Sequence, residues 1–222
     1  MMTDGIPPPG FHALDPYKNL VVYNRHLPHW RQDGATYFVT FRMADALPQD
    51  KINELQNLRK HWEYTHPGPR SKSDLDEYLR EFLQRVETCL DEGHGACYFK
   101  DQKWIDDLQT RLQHFNGELY HLVCSVIMPN HCHAVIRPFQ GHELEDLIGA
   151  MKSITARHIN AATGGNKDLW QQESYDRIIR DTVHLRKVIN YIGRNPAGCG
   201  LPQHRWPRWI DPVWQQSGWG FA

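Results

Sequence analysis

The chain has 222 residues, 40% of them hydrophobic and 23% charged, which suits one globular domain with an elaboration. A formal net charge of −1 excludes a globally basic nucleic-acid binder but leaves room for a local basic face. No apolar run approaches the ~20 residues that span a bilayer, residues 1–7 lack the pattern of a signal peptide, and five cysteines without C-x-x-C spacing argue against a disulfide scaffold or zinc ribbon. The expectation is a cytoplasmic protein with free thiols.

In chain order, residues 1–20 are rich in proline and glycine and read as an arm without regular structure. Residues 25–31, R-H-L-P-H-W-R, are basic and aromatic. They suit either a packed leader or an edge that touches nucleic acid. The run 36–42, T-Y-F-V-T-F-R, is a strand by its β-branched and aromatic content. Pro48 opens a helix with Ile52, Leu55 and Leu58 on one face, up to about Trp62. After the loop at 66–71, a second helix starts near Ser73, which can cap it. Leu75, Leu79, Phe82, Leu83, Val86 and Leu90 form its apolar stripe. Its acids, Asp74, Asp76, Glu77, Glu81, Glu87, Asp91 and Glu92, read as a solvated face and not as a site. Gly93 and Gly95 end it. Asp101 caps a third helix with Trp104, Ile105, Leu108 and Leu112 inward.

Asn116-Gly117 turns the chain into a strand over 119–128. Pro129-Asn130 is a second turn, and a strand begins again at His131. Leu144, Leu147, Ile148, Met151, Ile154 and Ile159 mark an amphipathic helix. Ile178-Ile179 suggests a short strand. A last helix spans 182–194, with Leu185, Val188, Ile189 and Ile192 buried, and Asn195-Pro196 is expected to end it. The aromatic, basic tail from Arg205 packs on the domain or meets a partner. This order fits an α+β fold: a ferredoxin-like antiparallel sheet with helices packed on it and a helical insertion after the first strand. The expected division is an N-terminal arm at 1–33, a domain at 34–200 with its insertion at about 48–116, and a Trp-rich tail at 201–222.

Strand alternation sends His131 and His133 to one face and Cys132 to the other. Two imidazoles on one face suit a divalent metal, although a chance His-x-His is an open alternative among 14 histidines. A zinc site with Cys132 needs the thiol on the histidine face, where alternation does not put it. Tyr191 and Asn195 are four apart on the last helix and share a face. If that helix packs beside the histidine strand, two imidazoles and an amide oxygen can hold Mg²⁺ or Mn²⁺ next to a phenol. The alternative is that Tyr191 packs in the core and Asn195 caps the helix.

The segments V-I-M-P-N-H-C-H-A-V-I, W-Q-Q-E-S-Y-D-R-I-I-R-D and V-I-N-Y-I-G-R-N-P-A-G-C-G-L resemble the REP-associated tyrosine transposases, single-tyrosine members of the HUH endonuclease superfamily. The leader R-H-L-P-H-W-R-Q-D-G-A-T-Y-F-V-T-F-R resembles them too. The resemblance runs from about Arg25 to Leu201. It implies a DNA transposase and endonuclease with the fold described above. Mg²⁺ or Mn²⁺ would be held by His131, His133 and Asn195, with Tyr191 as nucleophile. Single-stranded DNA bearing palindromic REP hairpins would be cut and rejoined through a 5′-phosphotyrosine. Cys132 departs from the family, whose middle position usually holds a larger apolar residue. Tyr175 is a rival tyrosine without an asparagine one turn on. Lys152, Arg157, Arg177 and Arg180 are candidate DNA contacts by charge and place. Two other readings stay open: a catalytically silent hairpin-binding protein, and a phosphodiesterase that uses activated water. Both a monomer and a dimer exchanging the last helix fit the sequence.

Overall fold

A computed structural model describes residues 6–24, 28–68, 72–198 and 206–221. The candidate leader residues Arg25, His26 and Leu27, the tail residue Arg205, and Cys199 lie outside them, as do the side chains of Ser73, Leu75, Leu79 and Leu83.

In chain order the elements are strands β1 (Val21–Asn24), β2 (Pro28–Arg31) and β3 (Tyr37–Arg42), then helices α1 (Gln49–Thr65), α2 (Lys72–Asp91) and α3 (Gln102–His114). Strands β4 (Tyr120–Ile127) and β5 (His131–Pro138) follow, then α4 (Leu144–Thr163), β6 (Tyr175–Ile178), α5 (Thr182–Gly198), β7 (Arg208–Ile210) and α6 (Pro212–Gln216). Strands β1 and β2 form a separate hairpin. The main sheet is antiparallel in the order β6-β3-β5-β4-β7, so the histidine strand is central. This is the mixed sheet-and-helix architecture expected, with α1–α3 inserted after the first strand of the main sheet.

Period-two alternation divides the core. Cys132, Ala134 and Ile136 face one side, with Val39, Phe41 and residues from α1, α3 and α4. Val135 faces the other, with Phe38, Val126, the α5 stripe Leu185, Val188, Ile189 and Ile192, and Trp214 and Trp219 of the tail. Asp101 caps α3 by accepting from the Lys103 backbone N–H. After α2 the chain turns at Gly93 and Gly95. Gly95 has φ +84°, and a Cβ there would stand 2.6 Å from the Asp45 carbonyl oxygen, so only glycine fits.

One expectation changes, and the packed alternative is the one found for the leader and for the tail. Helix α5 runs through Pro196 to Gly198 instead of stopping at Asn195. Proline there deletes one hydrogen bond near the helix end, and the Arg208 guanidinium donates to the Gly193 carbonyl in that last turn. The leader is packed rather than a free edge over its described part. His29 and Arg31 are buried and bonded to Asp176, and Arg31 also pairs with Glu145. The tail is core: β7 pairs with β4, and Trp206, Trp214 and Trp219 are buried. Among the described residues, no helix is long and apolar enough to cross a membrane.

Candidate active site

The site is built on β5. His131 and His133 are fully buried and point to the α5 face of the sheet. Their Nε2 atoms face each other at 3.1 Å. Each ring is fixed through its other nitrogen. His131 Nδ1 lies 2.8 Å from Asn130 Oδ1, while Asn130 Nδ2 donates to the His94 carbonyl. The carboxamide oxygen can only accept, so His131 carries its proton on Nδ1 and a lone pair on Nε2. His133 Nδ1 lies 2.7 Å from the Thr40 hydroxyl, supplied by the paired position on β3. With Nδ1–H given to Thr40, the second Nε2 also presents a lone pair. Burial lowers the His131 pKa to about 3, and burial together with His131 holds His133 well below its ordinary value. Both rings are therefore neutral donors at physiological pH.

Two buried lone pairs 3.1 Å apart repel unless a cation or a shared proton lies between them. Two nitrogens about 2.1 Å from one octahedral cation, at a right angle, lie about 3.0 Å apart. The pair thus has the spacing of adjacent ligands, and each ring has the outer partner that metal-binding imidazoles use. Among the described residues, no three His, Cys, Asp or Glu side chains gather to hold a metal, so a third protein donor has to be an amide or hydroxyl oxygen. Cys132 lies in the opposite core, which leaves no thiolate for a zinc reading.

Helix α5 delivers the rest. Its apolar stripe seats it on the sheet, and this places the Tyr191 hydroxyl 3.2 Å from His133 Nε2. Asn195, one turn on and buried, donates from Nδ2 to that hydroxyl at 3.0 Å. The structure therefore brings His131, His133, Tyr191 and Asn195 together within one chain. Tyr175 lies on the same face, paired through Thr40, but it is half-buried and burial raises its pKa to about 12.

The acidic face of α2 requires a correction. Glu87 and Asp91, one turn apart, are half-buried and not fully solvated, and their charges act on Tyr191. Burial, then Asp91, pushes the Glu87 carboxyl up to about 7, opposed by a hydrogen bond from Tyr191 and by Arg177. Burial, followed by Glu87 and Asp91, drives the Tyr191 phenol far above its ordinary value. Sequence reasoning missed these two acids because they break no local rule. A helix with one apolar stripe and many acids looks like any surface helix. The turn after α2 docks on the histidine turn through Asn130 and His94 and through the Phe99 N–H to the Pro129 carbonyl, contacts that only the folded chain shows.

The basic candidates are scattered. Lys152 is buried, and its ammonium donates to the carbonyls of Gln171 and Gln172. Burial, then Arg42, lowers its pKa to about 8. Arg157 is exposed on α4, away from the histidine face. Arg177 is half-buried beside Glu87 and Tyr175, and Arg180 is exposed just before α5.

Comparison with known proteins bears on this geometry. Residues 99–195 match the family model described as "Transposase IS200 like". No curated protein matches the chain. One similar solved structure is described as a REP-associated tyrosine transposase bound to a REP hairpin. It is 16% identical, with a TM-score of 0.39, and the match covers 82% of this chain and 75% of that one. Both histidines, the tyrosine and the asparagine lie within the stretch that this model matches.

Proposed function

We propose that the chain is a metal-dependent, single-strand DNA endonuclease and strand transferase that works through Tyr191. One observation carries this reading: two neutral imidazole nitrogens and an amide converge on a phenol, all from one chain. The family match over 99–195 and the motif resemblance support it. His131, His133 and the Asn195 oxygen would hold Mg²⁺ or Mn²⁺, which supplies positive charge to a phosphate in the site. Asn130 and Thr40 keep the rings oriented, and Asn195 holds the phenol oxygen in place. The Tyr191 oxygen bonds to phosphorus as the bond to the 3′ oxygen breaks. The products are a 5′-phosphotyrosine and a free 3′-OH, and attack by a second 3′-OH reverses the step without ATP. The DNA partner is a single strand with a REP-type hairpin, as the motif resemblance implies. The exposed Arg157 and Arg180 and the half-buried Arg177 are candidates for its backbone, and Lys152 acts through the loop that it holds.

The test is incubation with end-labelled, hairpin-bearing single-stranded DNA and Mn²⁺, resolved on a denaturing protein gel. A labelled adduct is expected in wild type and not in Tyr191→Phe. Adduct in both would move the nucleophile. Hairpin binding without adduct or cleavage would point to a silent binding protein, and cleavage that survives Tyr191→Phe to a water-using phosphodiesterase.

A further inference from the structure

Strand β3 brings a cation to the histidine end of the sheet. In the β3–β5 register Arg42 is directly opposite His131, as Thr40 is opposite His133. Directly opposite residues of an antiparallel pair share a face. The 2.7 Å contact between the Thr40 hydroxyl and His133 Nδ1 shows which face this is. Arg42, two residues on, stands on the same face beside His131. Its guanidinium is tied to the turn that orients that ring. Arg42 Nη1 donates to the Met43 carbonyl at 3.2 Å, and the Met43 N–H donates to the carbonyl of Asn130. Arg42 is half-buried, yet among the described residues no carboxylate pairs with it: burial alone lowers its pKa. The charge set against it is another cation, the buried Lys152. Other enclosed arginines have company. Arg31 is bonded to Asp176 and Glu145, and Arg137, at the far end of β5, lies over the Phe139 ring.

A guanidinium keeps its charge at any working pH, and half-burying it without an acid leaves its desolvation uncompensated. An anion from outside completes such a group, and beside the histidine pair of a nucleic-acid enzyme that anion is a phosphate. On the reading of the chain as a tyrosine nuclease, we infer that Arg42 is a phosphate-binding residue of the site, donating to the non-bridging oxygens of the phosphate that Tyr191 attacks. Among the described residues its one hydrogen bond uses Nη1, which leaves Nε–H and Nη2 for a ligand. That planar fork matches two oxygens on one phosphorus. As the tyrosine oxygen bonds to phosphorus and the 3′ oxygen departs, the guanidinium holds the charge on those oxygens and gives up no proton. The exposed Arg157 and Arg180 stand on other elements, so their phosphates are flanking ones.

The experiment has a binding arm and a reaction arm. Binding of hairpin-bearing single-stranded DNA is measured in EDTA by gel shift, as salt rises from about 50 to 200 mM. For Arg42→Gln the plot of log affinity against log salt should be shallower than for wild type by about 0.7, the share of one single-strand phosphate contact. The DNA is then made with one linkage at a time replaced by an uncharged methylphosphonate. At the linkage where wild type forms its adduct, this change should weaken wild type and not weaken Arg42→Gln further, because both remove the same contact. In the reaction arm, with Mn²⁺, Arg42→Gln should form adduct about 100-fold more slowly in single turnover. If Arg42→Gln does not fold, Arg42→Met, which also removes the charge and keeps an apolar stem, takes its place. An unchanged salt slope overturns the inference. So does a methylphosphonate effect that adds fully to the substitution at the adduct linkage. No adduct in wild type, or adduct in Tyr191→Phe, overturns the tyrosine reading beneath it instead, and the binding arm still decides whether Arg42 holds a phosphate.

Discussion

At the scale of single residues, Glu87 makes stability depend on pH. Its carboxyl is raised from 4.5 to about 7 in the folded chain. Between those values the native state keeps a proton that the unfolded chain has lost, so the native state binds more protons. The contribution of this group is thus present at low pH and lost as pH rises through the folded value. Glu87→Gln, which is always neutral, should therefore melt at a higher temperature than wild type at pH 8.5, and the advantage should fade by pH 5. Thermal melts without DNA or metal check this, and a gap that does not change with pH would sink it. The histidine pair and the Tyr191–Asn195 pair were legible in the sequence because each is local, one by strand alternation and one by helical periodicity. Glu87 was not, because its meaning depends on a partner on another element that only the tertiary fold brings near.

At the scale of elements, helix α5 carries the phenol, and the tail holds it on the sheet. Trp214 is 1% exposed, donates to the Pro9 carbonyl at 2.8 Å and meets Phe11 edge-on. The Arg186 guanidinium lies 3.9 Å over the Trp219 ring, and the Phe221 ring stands where a Cβ on Gly193 would go. Trp214→Ala should cost about 3–5 kcal/mol of stability, as a large core truncation does. Urea denaturation measures it, and a loss under about 1 kcal/mol would show that the tail is not part of the core. The longer elements were read correctly from periodicity and capping: β3, β4, β5 and all five long helices. Strands β1, β2 and β7 escaped because three or four residues give too short a pattern, and their register comes from the partner strand. The Asn195-Pro196 stop was misplaced because a proline near a helix end removes little.

At the scale of the whole molecule, imidazoles and phenol meet within one chain. A protein with His133→Ala and one with Tyr191→Phe should therefore not restore adduct formation when mixed. Labelled adduct from the mixture would mean that helix α5 is exchanged between copies. The family match begins at residue 99, so α1, α2 and Glu87 lie outside it. Strand β3 of the main sheet lies outside it as well, whereas α3 of the insertion lies inside.

The sheet order places the two shortest strands outermost, with four residues in β6 and three in β7. Next to β6, the N-terminal segment adds a hydrogen bond from the Leu14 N–H to the Ile179 carbonyl, and His12 accepts from Thr36. On that flank little unpaired backbone is left for another chain to extend, and on the other β7 offers only three residues. The rigid strand that holds the histidines is thereby shielded two strands deep from edge-to-edge aggregation.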